Sequence, residues 1–437
     1  MLFRRLLAFS AKLPKMPSNE GLGLAGRANP FKVLILGGSY GGLAAALNLL
    51  DLCNGRPARF TAATAEPVTH GKIPVDITIV DERDGYYHLI SSPLALASTE
   101  YARTAWTKFD QIPALKNIRF IHGSVRNVDP KSRLATVAET GTQSQRDLSY
   151  DFLVAATGLR RVWPVVPQAT TRESYLAEAD AHITELRNAR EGVVIIGGGA
   201  VGIEMAAELK MVMPDLKVTL VHSRDKLCSA EPLPDDFKDR CLTTLQEAGV
   251  ETIMGDRVVE TENVAEDGST VTSIKLGSGR TIRASKVIYA ISRSYPTSQY
   301  LPATALDEQG YVKITPALNF PEAVPNSQYH FAVGDVARWP GIKRCGAAMH
   351  HGQYAAQNIH QLMLQETQGT KPKLTELVEA PPGIGIAVGK QGVAYYPSEG
   401  TKYGEDILRL FFEDDLANRI CWDYLQLGKE FPKAAKV

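Results

Sequence analysis

Two glycine-rich turns carry the clearest chemical information in the chain: Gly37-Gly38-Ser39-Tyr40-Gly41-Gly42 and Gly197-Gly198-Gly199-Ala200-Val201-Gly202. Each follows an apolar run, Val33–Leu36 or Val193–Ile196, and precedes a helix-forming stretch. A strand, a tight glycine turn and a helix start bring backbone N–H groups and the positive end of a helix against a pyrophosphate. The second turn has all three glycines of the G-x-G-x-x-G pattern. The first has Ser39 in the middle place, a side chain small enough to keep the backbone close to a phosphate. Two such turns predict two bound dinucleotides, the arrangement of a flavin enzyme reduced by a nicotinamide.

The ends of the strands that follow differ. After the first turn, Ile77–Val80 runs into Asp81, a carboxylate placed to accept hydrogen bonds from an adenosine ribose. Glu82 and Asp84 are its competitors for that role. The acid lies beyond the usual ~20 residues from the glycines, and the irregular stretch 54–74 accounts for the excess. After the second turn, Val218–Val221 ends in His222-Ser223-Arg224, with no acid to select NAD. That trio suits a 2′-phosphate equally well; a solvated loop is the plainer reading. A third feature, Tyr329–Val333 followed by Gly334-Asp335, predicts a buried strand with an acid at its end.

The elements that must hold these groups follow the two-residue and 3.6-residue periods of the apolar residues. Strands are expected at 31–36, 76–80, 119–128, 134–138, 150–155, 192–196, 216–221 and 286–290, and helices at 41–53, 173–190, 200–213, 234–248 and 347–366. Residues 54–74 read as a surface loop and 367–375 as a linker. Apolar segments at 384–388, 393–396 and 407–412 predict a small sheet-containing C-terminal domain. The expected organisation is a basic arm at 1–29, a discontinuous first dinucleotide domain at 30–158 and 312–375, a second at 159–311, and a C-terminal domain at 376–437. The fold class is α/β, with two Rossmann-like domains and a small α+β domain.

The chain has 437 residues, with 48 Lys and Arg against 48 Asp and Glu. This balance gives no basic surplus for a nucleic-acid partner. Its five cysteines, Cys53, Cys228, Cys241, Cys345 and Cys421, form no CxxC and no metal-ligand spacing, so no metal site is expected. They point to a reducing compartment, while a redox pair of distant residues stays open. The first 19 residues carry Arg4, Arg5, Lys12 and Lys15 without an acid, as mitochondrial presequences do; a basic arm, or initiation at Met16, is the alternative. The location expected is mitochondrial or cytoplasmic. No apolar run reaches the roughly 18–20 residues of a spanning helix, so any membrane contact would be peripheral.

Taken in order, the first turn, Ala156-Thr157-Gly158, the second turn followed by Glu204, Gly334-Asp335 and the helix behind it resemble the flavoproteins with two dinucleotide-binding domains, of the glutathione-reductase-like fold. More narrowly, the segment Asp84–Leu94 and the strand end 218–223 are similar to apoptosis-inducing-factor-like proteins of the mitochondrion-associated kind, with type II NADH dehydrogenases as cousins. The resemblance implies FAD along Gly37, Ser39, Tyr40, Gly41, Gly42, Asp81, Arg83, His88, Pro93, Val125, Ala156, Thr157, Gly158, Gly334, Asp335, Ala347 and Ala348. It implies that Asp335 holds the ribityl chain, that backbone near Ala347–Met349 faces the flavin pyrimidine, and that Lys343 and Arg344 add positive charge there.

NADH or NADPH would lie along Gly197, Gly199, Ala200, Val201, Gly202, His222, Ser223, Arg224 and Ser292, with Glu204 orienting the carboxamide or relaying a proton. Ser292 stands where the family's second crossover ends in glycine, a departure expected to crowd the nicotinamide. The implied reaction is hydride transfer from nicotinamide to flavin, and electron transfer onward to a quinone or other small acceptor under the C-terminal domain. The alternatives are a slow redox-sensing member of the same family or a tailoring oxidoreductase of a small metabolite. Cys345 lies shortly after Asp335, but no cysteine occurs between Cys53 and Cys228 to act as the partner used in sulfide oxidation. Cys345 therefore reads as a packed residue, and His350 and His351 as residues opening a helix. The assembly expected is a monomer or homodimer.

Overall fold

The computed structural model describes residues 29–59, 71–142, 144–266, 269–291, 294–379 and 381–430. The expected targeting arm, most of the expected 54–74 loop and Ser292 lie outside the described residues. Strand β1 (Phe31–Leu36) is buried except at Lys32 and leads into helix α1 (Tyr40–Cys53), every residue of which is buried. A helix made of Leu, Ala and Gly on all sides is stable only when covered all round. Strand β2 (Val75–Asp81) pairs parallel with β1, with Ile35 beside Ile79. Strand β3 (Arg119–Asp129) pairs parallel with β2. Strands β4 (Leu134–Glu139) and β5 (Gln145–Ser149) follow as an antiparallel meander. Strand β6 (Phe152–Ala155) then returns to the other side of β1.

The second unit begins with helix α2 (Arg172–Arg187), where the Thr171 side chain accepts from the Ser174 N–H as an N-cap. It continues through strand β7 (Val193–Ile196), helix α3 (Ala200–Val212), strand β8 (Val218–Val221), helix α4 (Asp235–Glu247) and strand β9 (Glu251–Ile253). An antiparallel set, β10 (Val258–Glu266), β11 (Ser269–Leu276) and β12 (Thr281–Ala284), precedes strand β13 (Lys286–Tyr289). The parallel sheet here has the order β9-β8-β7-β13. Strand β14 (His330–Ala332) then joins β6 and completes the first sheet in the order β14-β6-β1-β2-β3-β4-β5. Helix α5 (Cys345–Gln368) runs against α1 and ends at Gly369.

The C-terminal part is an antiparallel sheet of β15 (Ile384–Val388), β16 (Gln391–Tyr396) and β17 (Gly400–Gly404), followed by helices α6 (Glu405–Phe411) and α7 (Asn418–Tyr424). The third apolar segment expected in this sheet is instead helix α6. Glu405 and Asp406 sit in its first turn, where the helix dipole favours acids, and Ile407 and Phe411 bury one face. The core is shared across the chain. Cys421, Leu425 and Leu427 complete the hydrophobic cluster of α1 and α5, and Ile386, Val388 and Val393 enter that of α3 and α4. Among the described residues no helix is long and apolar enough to cross a membrane.

Candidate functional site

The two glycine turns have the same construction. Gly37 and Gly197 take φ of +106° and +124°, and a Cβ on either would stand 2.4 Å from the carbonyl oxygen of Ala156 or Ala290 on the neighbouring strand. A Cβ on Gly42 or Gly202 would stand 1.8 or 1.9 Å from the oxygen of Gly37 or Gly197. These glycines let the turn close on itself. Gly199 differs: nothing lies within 4 Å of where its Cβ would be. It N-caps α3, which has no capping side chain and no acid in its first turn. Ala200 is half-buried and Val201 is exposed beside it. An uncapped helix start behind an open glycine is a cradle of the size and polarity that a pyrophosphate fills. Helix α1 likewise begins at Ser39 with no capping side chain and no acid in its first turn.

The ends of β2 and β8 also correspond. Asp81 accepts from the N–H of Gly38 at 2.6 Å and from that of Arg83 at 2.8 Å. Burial pushes its carboxyl up, and the two N–H donors pull it back. A carboxylate has about four acceptor sites, so two N–H bonds leave capacity for a ribose diol. In the second unit His222 takes the place of the acid, its Nδ1 lying 3.1 Å from the N–H of Gly198. Because that N–H donates, Nδ1 is the acceptor and Nε2 carries the proton, which it offers to Ser229 at 3.1 Å. Burial lowers the His222 pKa. Ser223 and Arg224 are exposed next to it, with Arg224 3.4 Å from the Ser229 hydroxyl.

Gly334-Asp335 follows β14, and the Gly334 N–H donates to His351 Nδ1 at 3.3 Å. Burial lowers His351 to about 4, so it is a neutral acceptor holding this turn to α5 rather than a proton donor. Asp335 pairs with Arg161 at 3.0 Å. Helix α5 starts beside it at Arg344, again with no capping side chain and no acid in its first turn. A Cβ on Gly41 would touch the Ala348 oxygen at 3.3 Å, so the first turn and the start of α5 adjoin. Thr157 ties the crossover to the returning chain through Thr297 O at 2.5 Å and the Tyr300 hydroxyl at 3.0 Å. The first turn thus adjoins the Asp335 turn and the start of α5, and the second is built in the same way, each with a hydrogen-bonding group at its second strand end.

A family model described as pyridine nucleotide-disulphide oxidoreductase matches residues 31–352. The chain belongs to the pyridine nucleotide-disulphide oxidoreductases. It is 54% identical over 435 residues to Oxidoreductase OXR1 of Ajellomyces capsulatus, spanning 97% of this chain and 94% of that one. It is 24% identical over 362 residues to Apoptosis-inducing factor homolog A of Dictyostelium discoideum, spanning 78% and 84%. Its fold is similar to that of NDH2 from Plasmodium falciparum, solved in complex with NADH, with a TM-score of 0.65 at 12% identity over 92% of this chain and 97% of that one. The chain is accordingly a flavoprotein oxidoreductase that uses FAD and a nicotinamide nucleotide.

The other residues expected to line the cofactors of this pyridine nucleotide-disulphide oxidoreductase are placed as follows. His88 is fully buried, its Nδ1 3.1 Å from the hydroxyls of both Tyr40 and Tyr86 and its Nε2 2.9 Å from Leu416 O. Burial lowers it to about 4, so it orients the two tyrosines as a neutral ring. Pro93 is buried in the short helix Ser92–Ala95, which packs on α3. Arg83 reaches Pro167 O at 3.3 Å and lies 5.9 Å from the Trp106 ring. Val125 sits at a bulge in β3. Ala348 is buried and Ala347 half-buried in the first turn of α5.

The two residues expected to be catalytic differ in kind. Lys343 donates to the carbonyls of Asp335 at 2.9 Å and Ala337 at 3.1 Å, and burial lowers its pKa. Its ammonium therefore braces the Asp335 turn. Glu204 accepts from the Ala387 N–H of β15 at 3.2 Å, and burial raises its carboxyl to about 8. Glu208, one turn further along α3, is 1% exposed, has one carboxyl oxygen without a partner and is likewise raised to about 8 by burial. Glu208 escaped the sequence reading; its spacing of four from Glu204, on a helix whose one other charged residue is Lys210, was the available signal. Cys421 also escaped it. The structure packs Cys345 against the core cluster that contains Cys421 of α7, although the two are far apart in the chain.

Proposed function

We propose that this protein is an FAD-dependent NAD(P)H:quinone oxidoreductase. When bound, the flavin supplies the two-electron chemistry, accepting hydride from a nicotinamide and passing electrons to an acceptor. The reading rests above all on the two glycine turns of the same construction, each leading into an uncapped helix start. Gly37–Gly42, Asp81 and the start of α1 would hold the FAD pyrophosphate and ribose, and Asp335 the ribityl chain. Gly197–Gly202 and the start of α3 would hold the nicotinamide nucleotide. His222, Ser223 and Arg224, with no carboxylate among them, admit NADPH as well as NADH.

The quinone assignment is supported by the proton supply. Reducing a quinone to a quinol takes two protons with two electrons. Glu204 and Glu208, both raised to about 8, carry protons at neutral pH and lie between the second cradle and the C-terminal sheet. Glu204 would release its proton toward the acceptor and Glu208 would replace it, a short relay on one helix face. Stopped-flow mixing of the purified holoprotein with NADH or NADPH, then with a short-chain quinone, tests the reading. Rapid bleaching of the flavin absorbance and its prompt recovery on adding quinone are expected. Slow bleaching, or recovery that quinone does not accelerate, would reject it.

A further inference from the structure

The strand ends that follow the two glycine turns offer a ribose different partners. At the first, Asp81 accepts two N–H groups and keeps acceptor capacity for a hydroxyl. At the second, His222 holds its turn in the same way, with the Gly198 N–H on Nδ1. An imidazole that accepts at Nδ1 carries its proton on Nε2 and has no second acceptor. Nε2 donates to Ser229, so His222 has nothing left to accept from a ribose 2′-hydroxyl. Donors are present instead. Ser229 accepts from His222 at 3.1 Å and from Arg224 at 3.4 Å, which leaves its own O–H to donate. Arg224 is exposed and makes no ion pair among the described residues, whereas nearby Lys226 pairs with Asp239 at 2.6 Å. The Ser223 side chain is exposed between His222 and Arg224.

The backbone under these side chains is fixed. The His222 N–H donates to Ile253 O at 2.8 Å, the Asp256 N–H to His222 O at 3.2 Å and the Gly255 N–H to Arg224 O at 3.1 Å, so residues 222–224 continue the pairing of β8 with β9. Gly255 takes φ of +69°, and a Cβ there would stand 2.7 Å from Asp225 Oδ1. Of the acids beside the trio, Asp225 thus lies against Gly255, and Asp256 accepts from the N–H groups of Arg257 and Ser278 and from the Ser278 hydroxyl. A 2′-hydroxyl gains most from a carboxylate acceptor, which this strand end lacks. A 2′-phosphate is an anion that takes N–H and O–H donors, above all from a guanidinium. We propose that the second dinucleotide site selects NADPH over NADH, with Arg224 and Ser229 as the residues that discriminate and His222 as the residue that positions Ser229. The proposal deepens the oxidoreductase reading above and rests on it.

The test uses the oxidised holoprotein, in which no hydride moves. Titration calorimetry with NADP⁺ and NAD⁺ is expected to give NADP⁺ the lower Kd by about tenfold or more, as one charge-assisted hydrogen bond provides. Added salt should weaken NADP⁺ more than NAD⁺, because it screens the phosphate contact. Arg224→Gln is expected to make the preference for NADP⁺ about tenfold smaller or to abolish it; a general loss of folding would weaken both nucleotides alike. His222→Asp, which copies the Asp81 arrangement, should invert the preference by supplying an acceptor and a negative charge. Equal affinity for the two nucleotides in the parent, tighter binding of NAD⁺, or a preference that either substitution leaves intact overturns the proposal. Flavin bleaching in the same preparation separates the two readings. Bleaching by NADH and NADPH with equal kcat/KM overturns the selection and leaves the oxidoreductase reading standing. Bleaching by neither marks failure of the oxidoreductase reading and removes the proposal with it.

Discussion

Single side chains divide into those that would touch the cofactors and those that hold them in place. Asp335 is in the first group: its carboxylate is partly exposed, oriented by Arg161 at 3.0 Å and set beside the uncapped start of α5. Losing a charged hydrogen-bond partner costs ~1.5–3 kcal/mol, about ten- to a hundredfold in affinity. Asp335→Ala is therefore expected to purify largely without flavin, read from the absorbance ratio of flavin to protein; full occupancy would refute the assignment. Glu208, a buried acid one turn beyond Glu204 on α3, predicts a pH dependence. Burial raises it to about 8 in the folded chain, above the ordinary carboxyl range of the unfolded chain. The folded state therefore binds the extra proton, and the stability this gives is complete below the ordinary carboxyl range and lost as pH rises through about 8. Glu208→Gln should match the parent near pH 4 and exceed it by a few kcal/mol near pH 9. Urea unfolding across that range measures the difference, and a gap that does not change with pH would refute it. Asp81, Asp335 and Glu204 were legible because each follows a recognisable strand or glycine. Glu208 and Cys421 were not, because burial of a lone acid and the meeting of two helices are properties of packing.

At the scale of elements, the site is built from helix starts that the chain leaves uncapped. Helices α1, α3 and α5 each lack a capping side chain and an acid in the first turn, whereas α2 is capped by Thr171 and α4 carries Asp235 and Asp236 at its start. These three starts are the ones assigned to the proposed cofactors, and an anionic ligand would complete them. The glycines then separate structure from binding. Gly42→Ala puts a Cβ 1.8 Å from Gly37 O, against rigid backbone, and is expected to cost about 3 kcal/mol or more or to prevent folding. At Gly199 an added Cβ meets nothing within 4 Å, so Gly199→Val should leave thermal unfolding and flavin content near the parent while abolishing reduction by NAD(P)H. Equal unfolding temperatures for the two variants, or normal reduction in Gly199→Val, would contradict this division. The strand–turn–helix units were legible because apolar runs and glycines mark both ends. Strand β5 was missed because its residues are half or fully exposed and show no apolar alternation. Helix α6 was read as a strand because Ile407–Phe412 is short and apolar, and its acidic first turn was the signal overlooked.

The whole molecule binds its parts through shared cores rather than through separate domains in contact. Cys421, Leu425 and Leu427 close the cluster beneath α1 and α5, while Ile386 and Val393 pack with α3 and α4. Arg344 at the start of α5 reaches Gly383 O, and Glu204 of α3 takes the Ala387 N–H. The C-terminal segment thus fastens both cradles, a role that its sequence, read by itself, gives no means of assigning. A cofactor bound across such an arrangement stabilises the native chain and not the unfolded one. One site filled at 100 times its Kd adds about 2.7 kcal/mol. The chain stripped of flavin is therefore expected to unfold at a lower temperature than the holoprotein, and added FAD to restore it in a dose-dependent way. Because the C-terminal segment enters both clusters, calorimetry should show a single transition shifting as a whole, with NAD(P)H adding a smaller increment of its own. A melting temperature that FAD leaves unmoved would remove the first cradle from the cofactor site. Two transitions, only one of them moved by FAD, would mean that the C-terminal segment does not couple the two units.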